Sequence, residues 1–245
     1  MRSLQNHPFA VETSFDSSLV LTFAIAKEEL APLIPPCLQL DTFNDQWAFL
    51  AIALVQTRNL RPKGFPRWMG KDFFLAGFRV FVRYTTNEGR RLRGLCILKS
   101  ETNKRLMSFF GNIFTHYSYN TTDILFHHDP GGMTVYSKKS GLEIEVAFNH
   151  DPVLLPDGSP FGSWKEARRF AGPLPFTFSF DPDTKKVLII EGVRQNWIPE
   201  LVTVKKQRIG FIEHMHIKHI VPASAFLVRN IPYYWKKGKT EIWIP

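Results

Sequence analysis

The sequence predicts a mainly β fold, of α+β type: an antiparallel β-barrel carrying a few short helices. Three observations predict it. Apolar runs rich in β-branched and aromatic residues recur along the chain and are closed by turn residues. No regular alternation of strands with long helices marks parallel βαβ units. The 22 Phe, 6 Tyr and 6 Trp of a 245-residue, 44% hydrophobic chain supply enough apolar area for a large core without disulfides or metals. Barrels of this length occur as single units, so residues 1–245 are read as one domain.

Ser18 to Ala26 is dominated by apolar and β-branched residues and reads as a buried strand. Lys27 to Leu33 reads as a short amphipathic helix, stopped by Pro35 and Pro36. Leu38–Phe43 and Trp47–Val55 flank the turn residues Asn44 and Asp45 and are expected to pair. A Pro- and Gly-rich loop, Arg61–Gly70, leads to Phe73–Thr85 and Leu92–Glu101, an antiparallel hairpin about the turn TNEGRR. Thr102–Phe110 is expected to be a helix, with Gly111 and Asn112 as its stop.

Strands are expected at Ile113–Tyr119, Met133–Lys138 and Gly141–Asn149, around the turns DPGG and KKSG. Val153–Gly162 reads as loop, and Ser163 with Glu166 three residues on as the capping box of a helix. Further strands are expected at Phe176–Phe180, Val187–Glu191, Leu201–Lys206, Gly210–Ile220 and Ala225–Val228.

Charge and cysteine content bound the function classes. A net charge of +9 suits an acidic partner. Its clusters, Arg90, Arg91 and Arg93 at a hairpin tip and Lys205, Lys206 and Arg208 beside a strand, read as solvated loop charges. No helix-turn-helix, zinc-finger or RNP-type motif accompanies them, so nucleic acid is not the expected partner. Cys37 and Cys96 have no framework or CxxC spacing, which fits a reducing compartment. Met1–Asp16 has no apolar signal-peptide core, and the expected location is cytoplasmic. The longest apolar runs, Leu19–Ala26 and Trp47–Val55, fall far short of the roughly 20 residues of a membrane-spanning helix. A homodimer is the default assembly for such a chain.

The stretch LIPPCLQLDTFNDQWAFLAIALVQTRNLRPKGFP, followed by FRVFVRY and RGLCILKSE and later by EARRFAGPLPFTF, resembles an uncharacterised family. That family is the YqjF-like domain of unknown function of the acetoacetate decarboxylase-like superfamily, and the resemblance runs from Ser18 to the neighbourhood of Glu200. It implies the decarboxylase-like β-barrel. In the enzyme that names the superfamily, a lysine after the short helix forms a Schiff base with a keto acid, its amine kept neutral by an apolar pocket and a neighbouring ammonium. The matching segment here, Gly111–Asn120, contains no lysine. The family pattern F-x-E-x-N-x-R on the preceding strand is met here by Phe73, Leu75, Gly77 and Arg79, so only its arginine carries over.

The candidate ligand-binding residues are Arg79, His116, Tyr117, Lys99 and Glu101. Arg79 sits mid-strand among apolar neighbours, where its guanidinium either clamps a carboxylate or makes a structural ion pair. Lys99 and Glu101, two apart on a strand, share a face with Leu95 and Ile97 and read either as a pocket pair or as a surface salt bridge. His116 and Tyr117 occupy the segment that carries the decarboxylase lysine; the histidine is an acid, base or ligand, or merely satisfies a backbone group. On a strand, His214 and His216 would lie side by side, but two ligands next to Lys218 do not make a metal site, and no metal or other cofactor is expected. No phosphate-loop, GxSxG, HExxH or GxGxxG signature is present.

These residues point to a small-molecule site for an organic acid or similar anion within the barrel, without Schiff-base decarboxylase activity. Two alternatives stand beside it: an enzyme acting on a small carbonyl or carboxylic acid substrate, and a basic protein that binds nucleic acid or a membrane surface.

Overall fold

A computed structural model describes residues 4–148, 155–172 and 174–244. The strands are β1 (Val11–Ala26), β2 (Gln39–Leu40), β3 (Trp47–Pro62), β4 (Lys71–Thr85), β5 (Arg91–Thr102), β6 (Tyr119–Thr121), β7 (Leu125–Asp129), β8 (Gly132–Ser137), β9 (Leu142–Ala147), β10 (Phe176–Asp181), β11 (Lys186–Arg194), β12 (Glu200–Leu201), β13 (Thr203–Ile209), β14 (Ile220–Trp235) and β15 (Lys239–Ile242). The helices are α1 (Lys27–Leu30), α2 (Arg105–Phe114), α3 (Trp164–Phe170) and α4 (Gly210–Glu213). The mainly β fold with a few short helices is thus the one observed.

Seven strands form a closed ring in the order β14-β1-β3-β4-β5-β10-β11 and back to β14. Every seam is antiparallel except β5–β10, which is parallel. The long run Ala48–Val55 of β3 is buried on both faces, which is why it reads as continuous rather than alternating. Ile52 and Leu54, with Leu19, Leu21 and Phe23 of β1, pack outward against a four-stranded sheet, β13-β9-β8-β7, through Val135, Ile144 and Val146, while Ala48 and Leu50 on the same face pack with Leu30 and Leu38. The odd residues of the run face into the ring. There α3 fills one end, its Phe170 lying 4.9 Å from Phe49. Ser163 accepts the Glu166 N–H at 3.2 Å, and the Glu166 carboxylate accepts from Gly162 N at 2.7 Å, so the expected capping is present with its return bond one residue earlier.

Several elements differ from the sequence reading. Of Leu38–Phe43 only Phe43 pairs with β3, through a single antiparallel bridge to Trp47 across the turn residues Asn44 and Asp45, with Phe43 N donating to Trp47 O at 2.8 Å. Instead β2 pairs with β4, because the buried Asp41 carboxylate accepts hydrogen bonds of 2.6 Å from both Arg83 and Arg93 Nε and draws the segment onto that strand. Arg93 is therefore tied down rather than a solvated loop charge.

Helix α2 continues through Gly111 and Asn112 to Phe114 and absorbs the start of the expected strand Ile113–Tyr119. Those two residues hold the returning chain. A Cβ on Gly111 would lie 2.4 Å from the Tyr119 ring, and the Asn112 amide accepts from Tyr119 N at 2.8 Å and donates to Tyr119 O at 2.9 Å.

Gly210–Ile220 is not a strand either. It opens with the single turn of α4, and Lys218 N and His219 N donate to the Glu29 carboxylate at 2.7 and 3.0 Å rather than to a neighbouring strand. The expected strand at Leu201–Lys206 is split at Val202 between the ring and the second sheet. Asn149, Val153 and Leu154, ends of two expected elements, lie outside the described residues.

Candidate functional site

The inside of the ring is not filled. Alternate residues of β1, β3, β4, β5 and β11 point inward, and beyond the aromatic cluster at the α3 end they leave a cavity of about 710 Å³. Val20, Val55, Leu75, Ile97, Phe15 and Trp235 give it an apolar wall. Helix α2 lies across its mouth, at the opposite end from α3, together with the segment leading into β1. Phe9 and Phe110, both of which line the cavity, remain partly exposed there.

Two arginines reach this apolar space. Arg79 comes from the middle of β4, on the inward face two residues beyond Gly77. The glycine matters: a Cβ at Gly77 would lie 3.0 Å from Arg79 Nε and 3.1 Å from Nη2, so the missing side chain is the room the guanidinium occupies. Arg79 Nε is buried, and among the described residues no group accepts its hydrogen bond. Among the described residues Arg79 forms no ion pair, and burial pulls its pKa down, opposed by the nearby phenols of Tyr233, Tyr119 and Tyr117. Arg194, at the end of β11, is held by the wall. It donates to Leu174 O at 2.8 Å and lies over the rings of Trp197 and Tyr233, 4.9 and 5.5 Å from their centroids. Burial lowers its pKa as well.

Three phenols line the same space. Burial pushes Tyr117 well up and Tyr119 up to about 12, so both stay neutral O–H donors. Among the described residues four polar atoms of cavity-lining side chains are buried without a hydrogen-bond partner: Arg79 Nε, Tyr117 Oη beside Thr177, His7 Nδ1 and Thr57 Oγ1. Tyr233 fits because Gly192 has no side chain: a Cβ there would lie 1.9 Å from its hydroxyl. Among the described residues the only carboxylate lining the cavity is Asp72, which is exposed and already bound by Arg58 at 2.9 Å and Asn59 N at 2.8 Å. An apolar chamber with two partly buried cations, phenolic donors and, among the described residues, no interior acid selects for an anion.

Of the expected site residues, the structure brings Arg79 and Tyr117 together in this cavity. His116 is not among the residues that line it; it is half-buried, and burial lowers its pKa against the pull of Asp181. Lys99 and Glu101 do pair, Nζ to Oε1 at 2.6 Å, but they do not share a face with Leu95 and Ile97. The register skips Leu98, pairing Phe78 with Lys99 and Arg79 with Ile97. This bulge turns Lys99 and Glu101 outward, where the Lys99 ammonium lies 5.4 Å from the Phe211 ring. His214 is not on a strand; its Nδ1 meets Gly210 O one helical turn back. Among the described residues no group of three His, Cys, Asp or Glu side chains is gathered for a metal.

Sequence reasoning missed Arg194, Tyr119 and Tyr233. The signal for Arg194 was the inward alternation Leu188, Ile190, Gly192, Arg194, visible once the strand is carried past Glu191.

Solved structures share this architecture. The chain is similar to acetoacetate decarboxylase from Legionella pneumophila subsp. pneumophila str. Philadelphia 1, with TM-score 0.63 and 12% identity over 96% of this chain and 88% of that one. An acetoacetate decarboxylase-like enzyme from Sphingomonas wittichii RW1 matches with TM-score 0.55 and 9% identity over 95% and 92%. The enduracididine biosynthesis enzyme MppR with HEPES buffer bound, solved also in complex with pyruvate, matches with TM-score 0.55 and 9% identity over 95% and 88%. At such identities the likeness is one of fold. No curated protein matches the chain in sequence. Residues 12–169, more than half of the chain, match a single family model, and the protein therefore belongs to the DUF2071 family of uncharacterized conserved proteins.

Proposed function

We propose that this protein binds a small organic acid with an apolar body inside its ring of strands, with Arg79 as the carboxylate anchor. The observation that carries the reading is the unpartnered, buried Arg79 Nε inside an apolar cavity, with the orphaned Tyr117 hydroxyl in the same chamber. A buried donor left unmatched costs about 1–3 kcal/mol, and a ligand carboxylate would satisfy it. A guanidinium takes a carboxylate through two parallel N–H bonds, while the apolar wall takes the rest of the molecule. A structural neighbour complexed with pyruvate supports an acid as the class of ligand.

An enzyme acting on a small carbonyl or carboxylic acid substrate is the second reading, favoured by the neutral Tyr117 O–H beside the cation. Schiff-base chemistry is not part of it. That reaction needs a desolvated amine, and the cavity-lining lysines, Lys71 and Lys104, are both exposed at the mouth.

The test is a thermal-shift panel of monocarboxylates on the wild type and Arg79→Ala. Acids should raise the wild-type midpoint and leave the variant unmoved. Equal stabilisation of both proteins would remove Arg79 from the site.

A further inference from the structure

The cavity mouth carries more exposed apolar surface than the cavity needs. On the segment between β3 and β4, Phe65 and Trp68 are 49% and 81% exposed; on α2, Leu106, Phe109 and Phe110 are 52%, 61% and 44% exposed. The two segments are neighbours. Met69 and Lys71 from one and Lys104, Leu106 and Phe110 from the other line the same opening, and Phe74 N donates to Asn103 Oδ1 at 2.9 Å between them. Large apolar side chains gathered in one exposed patch mark a binding surface rather than random exposure.

Cations are interleaved with these side chains. Lys63, Arg67, Lys71, Lys104 and Arg105 are all exposed, and among the described residues none of them forms an ion pair. Lys104 and Arg105 stand at the N-terminal end of α2, whose first turn holds no acidic residue. The helix dipole disfavours positive charge there, so the local energetics of the helix do not explain them. The acids around the opening are engaged: Asp72 is bound by Arg58 and Asn59 N and attracted by Lys104, Asp16 shares Arg58, and Glu12 is bound by Arg61.

We propose that this rim docks the cavity mouth on an anionic lipid bilayer. Trp, Phe and Leu projecting from a basic surface suit the interface between headgroups and acyl chains, where the rings bury their apolar faces and the cations meet lipid phosphates. A second copy of the chain fits worse, since a two-fold contact would set these five unpaired cations against themselves. The docking goes beyond the acid-binding reading and rests on it in one respect only. If the ligand is an amphiphilic acid, a mouth pressed to the bilayer lets it pass from lipid into the apolar cavity without crossing water.

The experiment is vesicle co-sedimentation of the full chain, without added acid, on phosphatidylcholine alone and on phosphatidylcholine mixed with phosphatidylglycerol. The wild type should bind the mixed vesicles at least about tenfold more tightly than the neutral ones, and added salt should weaken that binding. Trp68→Ala, a change at a fully projecting residue, should lower binding several-fold, and Lys104→Glu/Arg105→Glu should abolish the preference for the anionic lipid. Three results would overturn the proposal. These are no binding to either vesicle, binding indifferent to all three substitutions, or a concentration-dependent dimer in analytical ultracentrifugation that Trp68→Ala dissolves, which would give the rim to a second copy. Because no acid is present, none of these outcomes bears on Arg79 as an anchor.

Discussion

Arg79 is where the fold holds a destabilising residue in place. A guanidinium drawn into an apolar chamber loses hydration, and the nearby phenols of Tyr233, Tyr119 and Tyr117 offset that loss only in part. Arg79→Met should therefore stabilise the unliganded protein by about 1–2 kcal/mol while removing acid binding, measured by thermal and urea unfolding. A loss of stability would mean that the arginine serves a structural ion pair after all. Asp41 is the opposite case. Its fully buried carboxylate is held by Arg83 and Arg93, and Asp41→Asn should cost about 3 kcal/mol, read from the shift in urea midpoint. His7, buried, and His116, half-buried, set a pH dependence. Burial lowers His7 and His116 below the ordinary 6.5, so the folded protein binds fewer protons there than the unfolded chain does. Stability is then level above that value and falls as pH drops through it. The thermal midpoint should decline between about pH 7 and 5.5, and His7→Asn, a residue type that tolerates the left-handed backbone at this position, should flatten part of the decline. An unchanged slope would exclude His7 as a contributor.

Among the elements, the β5–β10 seam is the one where strand geometry leaves no latitude. It is the parallel join of the ring, three residue pairs long, and a Cβ on Gly94 would lie 2.4 Å from Phe176 O. Gly94→Ala pushes backbone against backbone and should cost about 1–3 kcal/mol in unfolding experiments; a neutral effect would show that the seam can shift. The hairpin β4–β5, the capped α3 and the apolar run of β3 were legible in the sequence because each is specified locally, by a turn, a cap or an unbroken apolar stretch. What was not legible depended on partners distant in sequence. Asp41 chooses β4 only because Arg83 and Arg93 are there, and Glu29 caps Lys218 and His219 from 189 and 190 residues away. The inward setting of Arg79 followed the alternation of β4, although the sequence alone had placed it only mid-strand among apolar neighbours. Lys99 and Glu101 did not, because one bulge at Leu98 reverses the face and no residue type announces it. The early part of β1 was hidden by composition, since its buried Thr13 and Ser17 are polar.

Across the whole molecule, the first and last long strands, β1 and β14, lie side by side, and the ring they close encloses the cavity. One end is filled by aromatic side chains under α3, and the other is roofed by α2, so a ligand has one way in. Among the described residues the interior offers cations and phenols to an acid but no lysine amine. Incubation with acetoacetate followed by borohydride should accordingly leave the intact mass unchanged, whereas a stoichiometric adduct on Lys71, Lys104 or Lys99 would restore Schiff-base chemistry. The claim that organises all of this is that Arg79 reads a carboxylate while the ring reads an apolar body. Calorimetric titration of octanoate and of octanol, an acid and an alcohol of one chain length, into the wild type and Arg79→Gln measures it most directly. A charged hydrogen-bonded pair worth about 1.5–3 kcal/mol should make the wild type prefer the acid by about 10- to 150-fold, and Arg79→Gln should erase that preference while the alcohol binds as before. A wild type that does not distinguish the two, or a variant that still prefers the acid, would contradict the account.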